Sequence, residues 1–589
     1  MPSALYKAIT EKEVIKLADL TIRVGGEGGE GIISTGDFIA AIAAKAGNNI
    51  LTFKTFPAEI KGGYAMYQTR ISDEKVMCEG DGFDIFVAFN GEAYEMNKKL
   101  LTPGKVFVYD GPGGDFEPDE HEGVATYAVP MSKIAKEDLG VYRSKNMVCM
   151  GALSGLFDLD FDLFKEFIIA KFSKKGQAVV DVNIKALEAG RDYCNSNLTK
   201  TDDLRIPKSE KKDMIIISGN DAAGLGGIAA GVEFFSCYPI TPATEVAYFT
   251  ADHIYKTGGT LVQAEDEIAS ISNIIGASYA GKRVMTATSG PGISLMAEMI
   301  GMSSMSELPI VIVGVQRGGP ATGLPTKHEQ SDLFISAHGS HGDAPRIILA
   351  AEDVKECYEL TIEAFELAEK YQVPVFMLSD GSMGFRTESM PTPDMKSAKR
   401  ARRKRFEGLK GDEKYLRYEL TEDNISPVAF PGDKGGRHIA TGLEHNESGA
   451  PKFDEVNRVK MMDKRFDKLA NIEKEYGPAE FEGDDQNDIG LIAWGSTQGC
   501  VREAVKRLRA DGKKVAALYP KMVWPLPVDQ INEFAGKCKK IMVPEVNYQG
   551  QFAELIRSKT DINPIKYNIY AGMPFTPAEM CEKVEEAIG

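Results

Sequence analysis

The chain has 589 residues, which at roughly 150 residues per domain corresponds to three or four domains. Hydrophobic residues make up 43% and charged residues 26%, so the chain as a whole is not disordered, collagen-like or a coiled coil. Acidic residues outnumber basic ones by 86 to 69, giving a net charge of −17. A surface this acidic repels phosphate backbones, and we expect no nucleic-acid partner.

The eight cysteines are scattered, and no two of them have the CxxC spacing. This pattern argues against a secreted disulfide framework and against a zinc or iron–sulfur site held by this chain alone. The N-terminus has no apolar signal segment, and no stretch approaches the roughly 20 apolar residues of a membrane helix. We therefore expect a cytoplasmic protein without membrane association.

Short apolar runs alternate with helical patterns in three blocks, as is typical of mainly parallel α/β sheets. The first block predicts a helix over residues 36–46 and strands over 20–24, 83–89, 106–109 and 124–129. The second predicts helices over 267–280 and 354–371 and strands over 261–263, 283–286, 310–315 and 375–378. The third predicts strands over 489–494, 515–518 and 540–543.

These blocks divide the chain into an α/β domain at residues 1–199, a polar linker at 200–212, a second α/β domain at 213–395, a connector at 396–484 and a small α/β domain at 485–589. The connector begins with a basic run over residues 396–405. Since no aromatic residues are interleaved with it, we interpret this run as a solvated face or a contact with an acidic partner.

Two glycine motifs follow predicted strands, at residues 26–31 and 224–229, and each resembles a dinucleotide-binding turn. Dinucleotide binding requires a carboxylate at the end of the next strand to hold the ribose. Here the next strands run into Lys54 and Pro239 instead. We interpret both motifs as tight strand-to-helix turns. A nucleotide-binding dehydrogenase remains an alternative.

Successive strand ends of the second block carry chemically useful groups. Residues 238–242 (YPITP) form a loop that two prolines make rigid, at the sheet edge where α/β proteins bind ligands. The acidic trio 265–267 follows the next strand, a glycine turn (TSGPG) lies at 288–292, and Arg317 ends the strand over 310–315. Three adjacent carboxylates repel one another, so a buried member has a raised pKa.

Several long motifs resemble the alpha subunit of thiamine-diphosphate-dependent 2-oxoacid:ferredoxin oxidoreductases: YPITPATE, QAEDEIASISNIIGASYAGKRVMTATSGPG and QRGGPATGLPT. The first block, with RVGGEGGEGIISTGDFIA and KGGYAMYQTRIS, resembles the gamma subunit of that family, fused upstream. The resemblance implies several doubly wound, mainly parallel α/β domains: a gamma-like domain at 1–199, a pyrimidine-binding domain at 213–395 and a transketolase C-terminal-like domain at 485–589.

The resemblance also implies roles for individual residues. Glu267 matches the glutamate that bonds N1′ of the cofactor aminopyrimidine, and we prefer it to Glu265 because it opens a helix. Thr241 matches the threonine beside the substrate, and Arg317 matches the arginine that grips the 2-oxoacid carboxylate, for which a guanidinium is well suited. The remaining expected cofactor contacts are Tyr238, Pro239, Ile240 and Gly290.

Half of a thiamine site is missing from this chain. Thiamine enzymes hold the diphosphate through Mg²⁺ on a GDG motif with a distant asparagine, and here Asn90 follows residues 80–82 (GDG) far too closely. The resemblance implies a beta subunit that holds the Mg²⁺, the diphosphate and a [4Fe–4S] cluster, in a dimer of heterodimers that reduces ferredoxin.

The implied reaction converts a 2-oxoacid and coenzyme A to an acyl-CoA and CO₂, or the reverse. The fused arrangement favours 2-oxoglutarate as the substrate, with pyruvate or branched-chain 2-oxoacids as alternatives. A non-catalytic scaffold with the same fold is a further alternative. His328, His338 and His341 have no compelling ligand spacing, and we interpret them as core or surface histidines.

Overall fold

The protein is described by a computed structural model that covers residues 19–57, 62–206, 209, 213–409 and 414–589. The chain forms two compact units. One comprises Met1–Ile216 with Glu388–Pro391, and the other comprises Ile217–Thr387 with Thr392–Gly589.

The strands in chain order are β1 Asp19–Glu27, β2 Asn49–Thr55, β3 Tyr64–Ser72, β4 Ile85–Ala88, β5 Val106–Asp110, β6 Ala125–Val129, β7 Met214–Ser218, β8 Phe234–Cys237, β9 Thr260–Gln263, β10 Val284–Thr288, β11 Ile310–Gln316, β12 Ile347–Ala350, β13 Pro374–Asp380, β14 Thr387–Pro391, β15 Glu480–Glu482, β16 Ile489–Ile492, β17 Val515–Tyr519, β18 Met522–Trp524, β19 Ile541–Glu545 and β20 Ile565–Asn568.

The helices in chain order are α1 Ile32–Lys45, α2 Gly91–Asn97, α3 Met131–Lys133, α4 Lys145–Phe157, α5 Phe161–Phe172, α6 Gln177–Asn197, α7 Gly219–Ala230, α8 Thr244–His253, α9 Glu267–Tyr279, α10 Gly290–Met305, α11 Leu333–His338, α12 Val354–Tyr371, α13 Gly381–Phe385, α14 Glu455–Asp467, α15 Ile472–Tyr476, α16 Thr497–Ala510, α17 Val528–Gly536, α18 Gln551–Lys559 and α19 Pro577–Ile588. No helix in the described part of the chain is long and apolar enough to cross a membrane.

The first unit contains an eight-stranded sheet in the order β6-β5-β4-β1-β3-β2-β14-β7. Strands β1, β4, β5 and β6 are parallel, as predicted for this block, whereas β3 runs antiparallel to both β1 and β2. The sequence pattern did not predict β3, which carries Gln68 and Arg70. These polar side chains are accommodated in the sheet because Arg23 donates to Gln68 and Arg70 pairs with Asp19.

The two glycine motifs have different structural roles. Gly31 has φ 90° and immediately precedes α1, which is the predicted strand-to-helix turn. Residues 224–229 instead lie inside α7, so the turn predicted there is wrong. A Cβ on Gly226 would stand 2.5 Å from the carbonyl oxygen of Tyr358, and the glycine therefore permits close contact between α7 and α12. The first motif lacks a dinucleotide-binding context because the next strand, β2, pairs antiparallel with β3 and is not a parallel neighbour of β1, and the second lacks one because it lies within a helix instead of at a strand-to-helix turn.

The second unit contains two sheets. The seven-stranded sheet has the order β18-β12-β13-β11-β10-β8-β9 and is parallel except for β18. The five-stranded sheet has the order β15-β17-β16-β19-β20 and is parallel except for β15. The predicted class of mainly parallel α/β sheets is confirmed, and the predicted helices over 267–280 and 354–371 are α9 and α12. The proposed domain boundaries stay predictions.

The basic run over 396–405 is not simply a solvated face. Arg403 is 2% exposed and donates to Glu369 at 2.8 Å, while Arg402 and Arg405 pair with Glu233 and Asp433. The acidic partners of these arginines therefore lie in the same chain. Glu369 lies in α12 and Glu233 just before β8, so these two pairs attach the connector to the α/β core of the second unit, whereas Asp433 lies within the connector.

Candidate active site

The loop 238–242 follows β8 and is tied to the end of β11 by Arg317. The Nη1 of Arg317 donates to the carbonyl oxygen of Thr241 at 2.6 Å. The side chains of Tyr238 and Thr241 are exposed, and the carbonyl oxygen of Ile240 accepts from the N–H of Ala243, where the next helix begins. Two of the predicted site residues, Thr241 and Arg317, are therefore in direct contact.

Glu267 is the first residue of α9, and its side chain is buried. Asp266 caps this helix by accepting from the N–H of Ala269, and Glu265 is exposed. Burial raises the pKa of Glu267, and the nearby charge of Arg317 opposes that shift. The raised pKa means that this carboxyl group binds a proton more readily than an exposed glutamate does.

Glycine at position 292 makes room for Glu267. A Cβ on Gly292 would stand 3.0 Å from the Oε1 of Glu267 and 1.9 Å from the Oγ1 of Thr288. The TSGPG turn therefore packs its backbone directly against the buried carboxyl group.

Arg317 directly follows β11 and has 7% of its surface exposed. Burial lowers its pKa, while Asp332 and Glu267 counteract that shift. Its Nε is buried and has no hydrogen-bond partner within the protein. A buried N–H donor left in this state is suited to an anionic ligand.

Asp332 was not predicted from the sequence. It is 9% exposed, and burial raises its pKa to about 7 although the backbone N–H groups of Arg317 and Gly290 both donate to its carboxylate. Its Oδ2 has no partner, and a Cβ on Gly290 would stand 2.4 Å from its Oδ1. Asp332 lies in a segment without a strand-end pattern, so no sequence signal marked it.

Arg317 and Asp332 border a cavity of about 830 Å³. Gly290, Arg317, Glu329 and Asp332 line one part of it, and residues 547–551 of the third block line another part. Glu267 and Thr241 are not in its lining and join the site through Arg317. The segment NYQGQ at residues 547–551 thus contributes to the site, which its position late in the sequence did not indicate.

The three predicted non-ligand histidines are dispersed. His328 is buried, with its Nδ1 3.0 Å from the Oδ1 of Asp380, and is a core histidine. His338 and His341 are exposed. Among the described residues, no group of three His, Cys, Asp or Glu side chains has the geometry of a metal site.

Three family models match this chain. Residues 226–464 match a model described as pyruvate flavodoxin/ferredoxin oxidoreductase, thiamine diP-bdg. Residues 21–193 match pyruvate ferredoxin/flavodoxin oxidoreductase, and residues 487–576 match pyruvate:ferredoxin oxidoreductase core domain II.

Individual relatives give the same result over nearly the whole chain. The 2-oxoglutarate oxidoreductase subunit KorA of Mycobacterium tuberculosis is 31% identical, covering 99% of this chain and 94% of the relative. The 2-oxoglutarate synthase subunit KorA of Methanothermobacter thermautotrophicus is 39% identical over 58% of this chain and 90% of its own length. A solved structure, 2-oxoglutarate:ferredoxin oxidoreductase from Magnetococcus marinus with 2-oxoglutarate, coenzyme A and succinyl-CoA bound, is 57% identical with a TM-score of 0.94, covering 97% of this chain and 100% of that one.

Proposed function

This chain belongs to the 2-oxoacid:ferredoxin oxidoreductase family as an alpha-type subunit, and on that premise we propose that it converts 2-oxoglutarate and coenzyme A to succinyl-CoA and CO₂. Electrons pass to ferredoxin, and the reaction runs in either direction. The observation that carries the proposal is the placement of three groups at the strand ends of one sheet. Arg317 donates to Thr241, and the charge of Arg317 acts on the buried carboxyl group of Glu267. The Magnetococcus marinus enzyme, with its three bound ligands, supports the choice of substrate.

The residues of this site fit the aminopyrimidine half of thiamine diphosphate. The fit rests on a buried carboxyl group of raised pKa and a glycine turn that leaves no room for a side chain beside it. When bound, the cofactor supplies the nucleophilic carbon and the electron sink that decarboxylation of a 2-oxoacid needs. Glu267 would hold a proton at N1′, and we assign Tyr238, Pro239, Ile240 and Gly290 to the surrounding cofactor contacts.

Arg317 binds the substrate carboxylate in this proposal. Its Nη1 is already held by Thr241, which orients the guanidinium, and its Nε is left without a partner. A guanidinium positioned in advance binds a planar carboxylate with little loss of rotamer entropy. Thr241 then stands beside the reacting carbonyl group of the substrate.

The other half of the site belongs to a beta subunit in this proposal. We place Mg²⁺, the diphosphate contacts and a [4Fe–4S] cluster on that partner, in a dimer of heterodimers located in the cytoplasm. The support comes from the sequence, which lacks both the magnesium motif and clustered cysteines. We assign pyrimidine binding to the domain at residues 213–395, with the gamma-like domain at 1–199 and the transketolase C-terminal-like domain at 485–589 around it.

A substrate panel tests the proposal. The chain is purified together with its partner subunits and assayed with coenzyme A and a viologen dye on 2-oxoglutarate, pyruvate and a branched-chain 2-oxoacid. We expect kcat/KM for 2-oxoglutarate to exceed the others by at least about tenfold, as expected where a site pairs with the second carboxylate of its substrate. Equal values for pyruvate and 2-oxoglutarate would contradict the substrate assignment.

A further inference from the structure

A second cavity, of about 570 Å³, lies in the second unit and shares no lining residue with the site above. We call it the Trp524 cleft. Its walls are the end of α11 with the following loop, the turn after α14, the segment that begins at Trp524, and Lys559 at the end of α18. A volume in this range accommodates a small organic molecule.

The charged groups of the Trp524 cleft are mostly of one sign. Arg346 is 1% exposed and donates only to uncharged oxygens, those of Ala344, Ser336 and Ser340. Within the described residues, no carboxylate lies at ion-pair distance from Arg346, and burial lowers its pKa to about 10. A buried guanidinium without a counter-ion is electrostatically unfavourable, and an anion in the cleft would relieve that cost.

Two further basic groups face the same space. The pKa of His338 is lowered by burial and by the positive charges of Arg346 and Lys559. Protonation of His338 is therefore disfavoured, and Arg346 and Lys559 are the positive charges that line the cleft. The acidic residue in the lining is Asp343, which is exposed. The cleft therefore attracts negative charge.

The remaining surface of the cleft is apolar and partly aromatic. The ring of His338 meets the ring of Trp524 edge-on at 4.8 Å, and the Nζ of Lys559 lies 6.0 Å from the indole centroid. Phe466 and Leu526 add apolar surface, and Phe466 is 40% exposed. A flat apolar body is therefore able to cover the indole while a charged group reaches the basic side chains.

We propose that the Trp524 cleft binds a small organic anion that combines a flat apolar body with one acidic group. The apolar body lies against Trp524, and the acidic group lies between Arg346 and Lys559. The proposal does not depend on the substrate assigned to the active site, because it rests on different residues.

Intrinsic fluorescence provides the measurement. The chain has two tryptophans, and Trp494 is fully buried whereas Trp524 lines the cleft. The chain, purified with its partner subunits, is titrated with 8-anilinonaphthalene-1-sulfonate. We expect saturable quenching with one site per chain, and we expect Trp524→Phe to abolish the quenching. Absence of saturable quenching would overturn the proposal, whether the cleft is empty or covered by another subunit.

A second experiment tests whether binding depends on the negative charge of the probe. N-phenyl-1-naphthylamine keeps the rings of the probe but lacks the sulfonate, and we expect it to bind about tenfold more weakly or worse. Lys559→Gln should weaken binding of the sulfonate about tenfold and leave the uncharged dye unaffected. The control is Lys583→Gln, a half-exposed lysine on α19 outside the cleft, which should change neither affinity. Equal affinities for the two dyes, or an unchanged affinity in Lys559→Gln, would overturn the proposal.

Discussion

Two glutamates only two positions apart have different environments. Glu265 is exposed, whereas Glu267 is buried at the start of α9 and has a raised pKa. The difference arises because a helix begins between them, which turns Glu267 toward Gly292 and Arg317. Of these two glutamates, Glu267 is therefore the one whose carboxyl group binds a proton more readily than an exposed carboxyl group does.

Glu267→Gln tests this assignment. We expect turnover to fall by about 100-fold or more. General acid–base catalysis gives rate enhancements of this size, and an amide cannot exchange a proton at N1′. Glu265→Gln is the matched control and should leave turnover unchanged, because that side chain faces solvent. The measurement is viologen reduction by the assembled enzyme. Near-normal turnover in Glu267→Gln would favour the scaffold alternative.

Asp332 predicts a pH dependence. Its pKa of about 7 means that its carboxyl group is neutral below that pH and ionised above it. Once ionised, it neutralises Arg317 and repels an anionic substrate, so KM for the 2-oxoacid should rise as the pH increases through about 7. Asp332→Asn should remove this rise while preserving the fold, since an amide oxygen still accepts from the N–H groups of Gly290 and Arg317. KM measured between about pH 6 and 8.5 decides the question. An unchanged pH profile in the variant would exclude this role.

At the scale of elements, one buried carboxylate connects α10 to the connector. Glu307 follows α10, has a positive φ of 50°, and accepts from Lys464 at 2.8 Å and from Lys468 at 3.0 Å. All three side chains are fully buried. Burial opposes ionisation of Glu307, but the two lysines and Arg417 lower its pKa well below the usual range. Burial lowers the pKa of Lys468 to about 8.

Glu307→Gln should therefore destabilise the second unit. Removing the carboxylate leaves buried cations uncompensated, at a cost of about 3–5 kcal/mol in the free energy of unfolding. Because the folded pKa of Glu307 is lowered, its stabilisation is present at neutral pH and is lost as the pH falls through the folded pKa. Thermal denaturation followed by circular dichroism measures the change. Glu298→Gln, at an exposed position of α10, is the control, and equal midpoints for the two variants would show that the cluster contributes no stability.

At the scale of the whole molecule, the function proposed above divides the active site between two chains. In that proposal the residues around Glu267 and Arg317 bind the aminopyrimidine and the 2-oxoacid, and a beta subunit holds the diphosphate. A ligand bound by half of its contacts loses a large part of its affinity, because the entropy cost of association does not decrease in proportion.

The chain alone should therefore bind thiamine diphosphate weakly. We expect a Kd near or above about 1 mM for the isolated chain and a value in the micromolar range or below for the assembly with Mg²⁺. Isothermal titration calorimetry on the two preparations makes the comparison, with Glu267→Gln in the assembly as the reference for loss of the N1′ contact. Micromolar binding by the isolated chain would place the whole cofactor site within this polypeptide.

The fold class followed from local patterns in the sequence. Apolar runs of strand length alternate with helical patterns over residues 261–378, and this alternation indicates a parallel sheet because each crossover helix must cover the sheet. Strand β3 was missed because its buried Gln68 and half-buried Arg70 are accommodated only once Arg23 and Asp19 on the neighbouring strand bind them. Those pairings join segments about 45 and 51 residues apart.

The sequence by itself determined the family, the mainly parallel α/β class and the positions of Thr241, Glu267 and Arg317, because rigid prolines, strand ends and helix starts are local features. Only the tertiary structure decided which carboxyl groups have raised pKa values, that Asp332 joins Arg317, that Arg403 is buried and that the Trp524 cleft exists. Each of these depends on burial and on charges contributed by distant segments. Desolvation and Coulomb energies are set by distance in space, which separation along the chain does not specify.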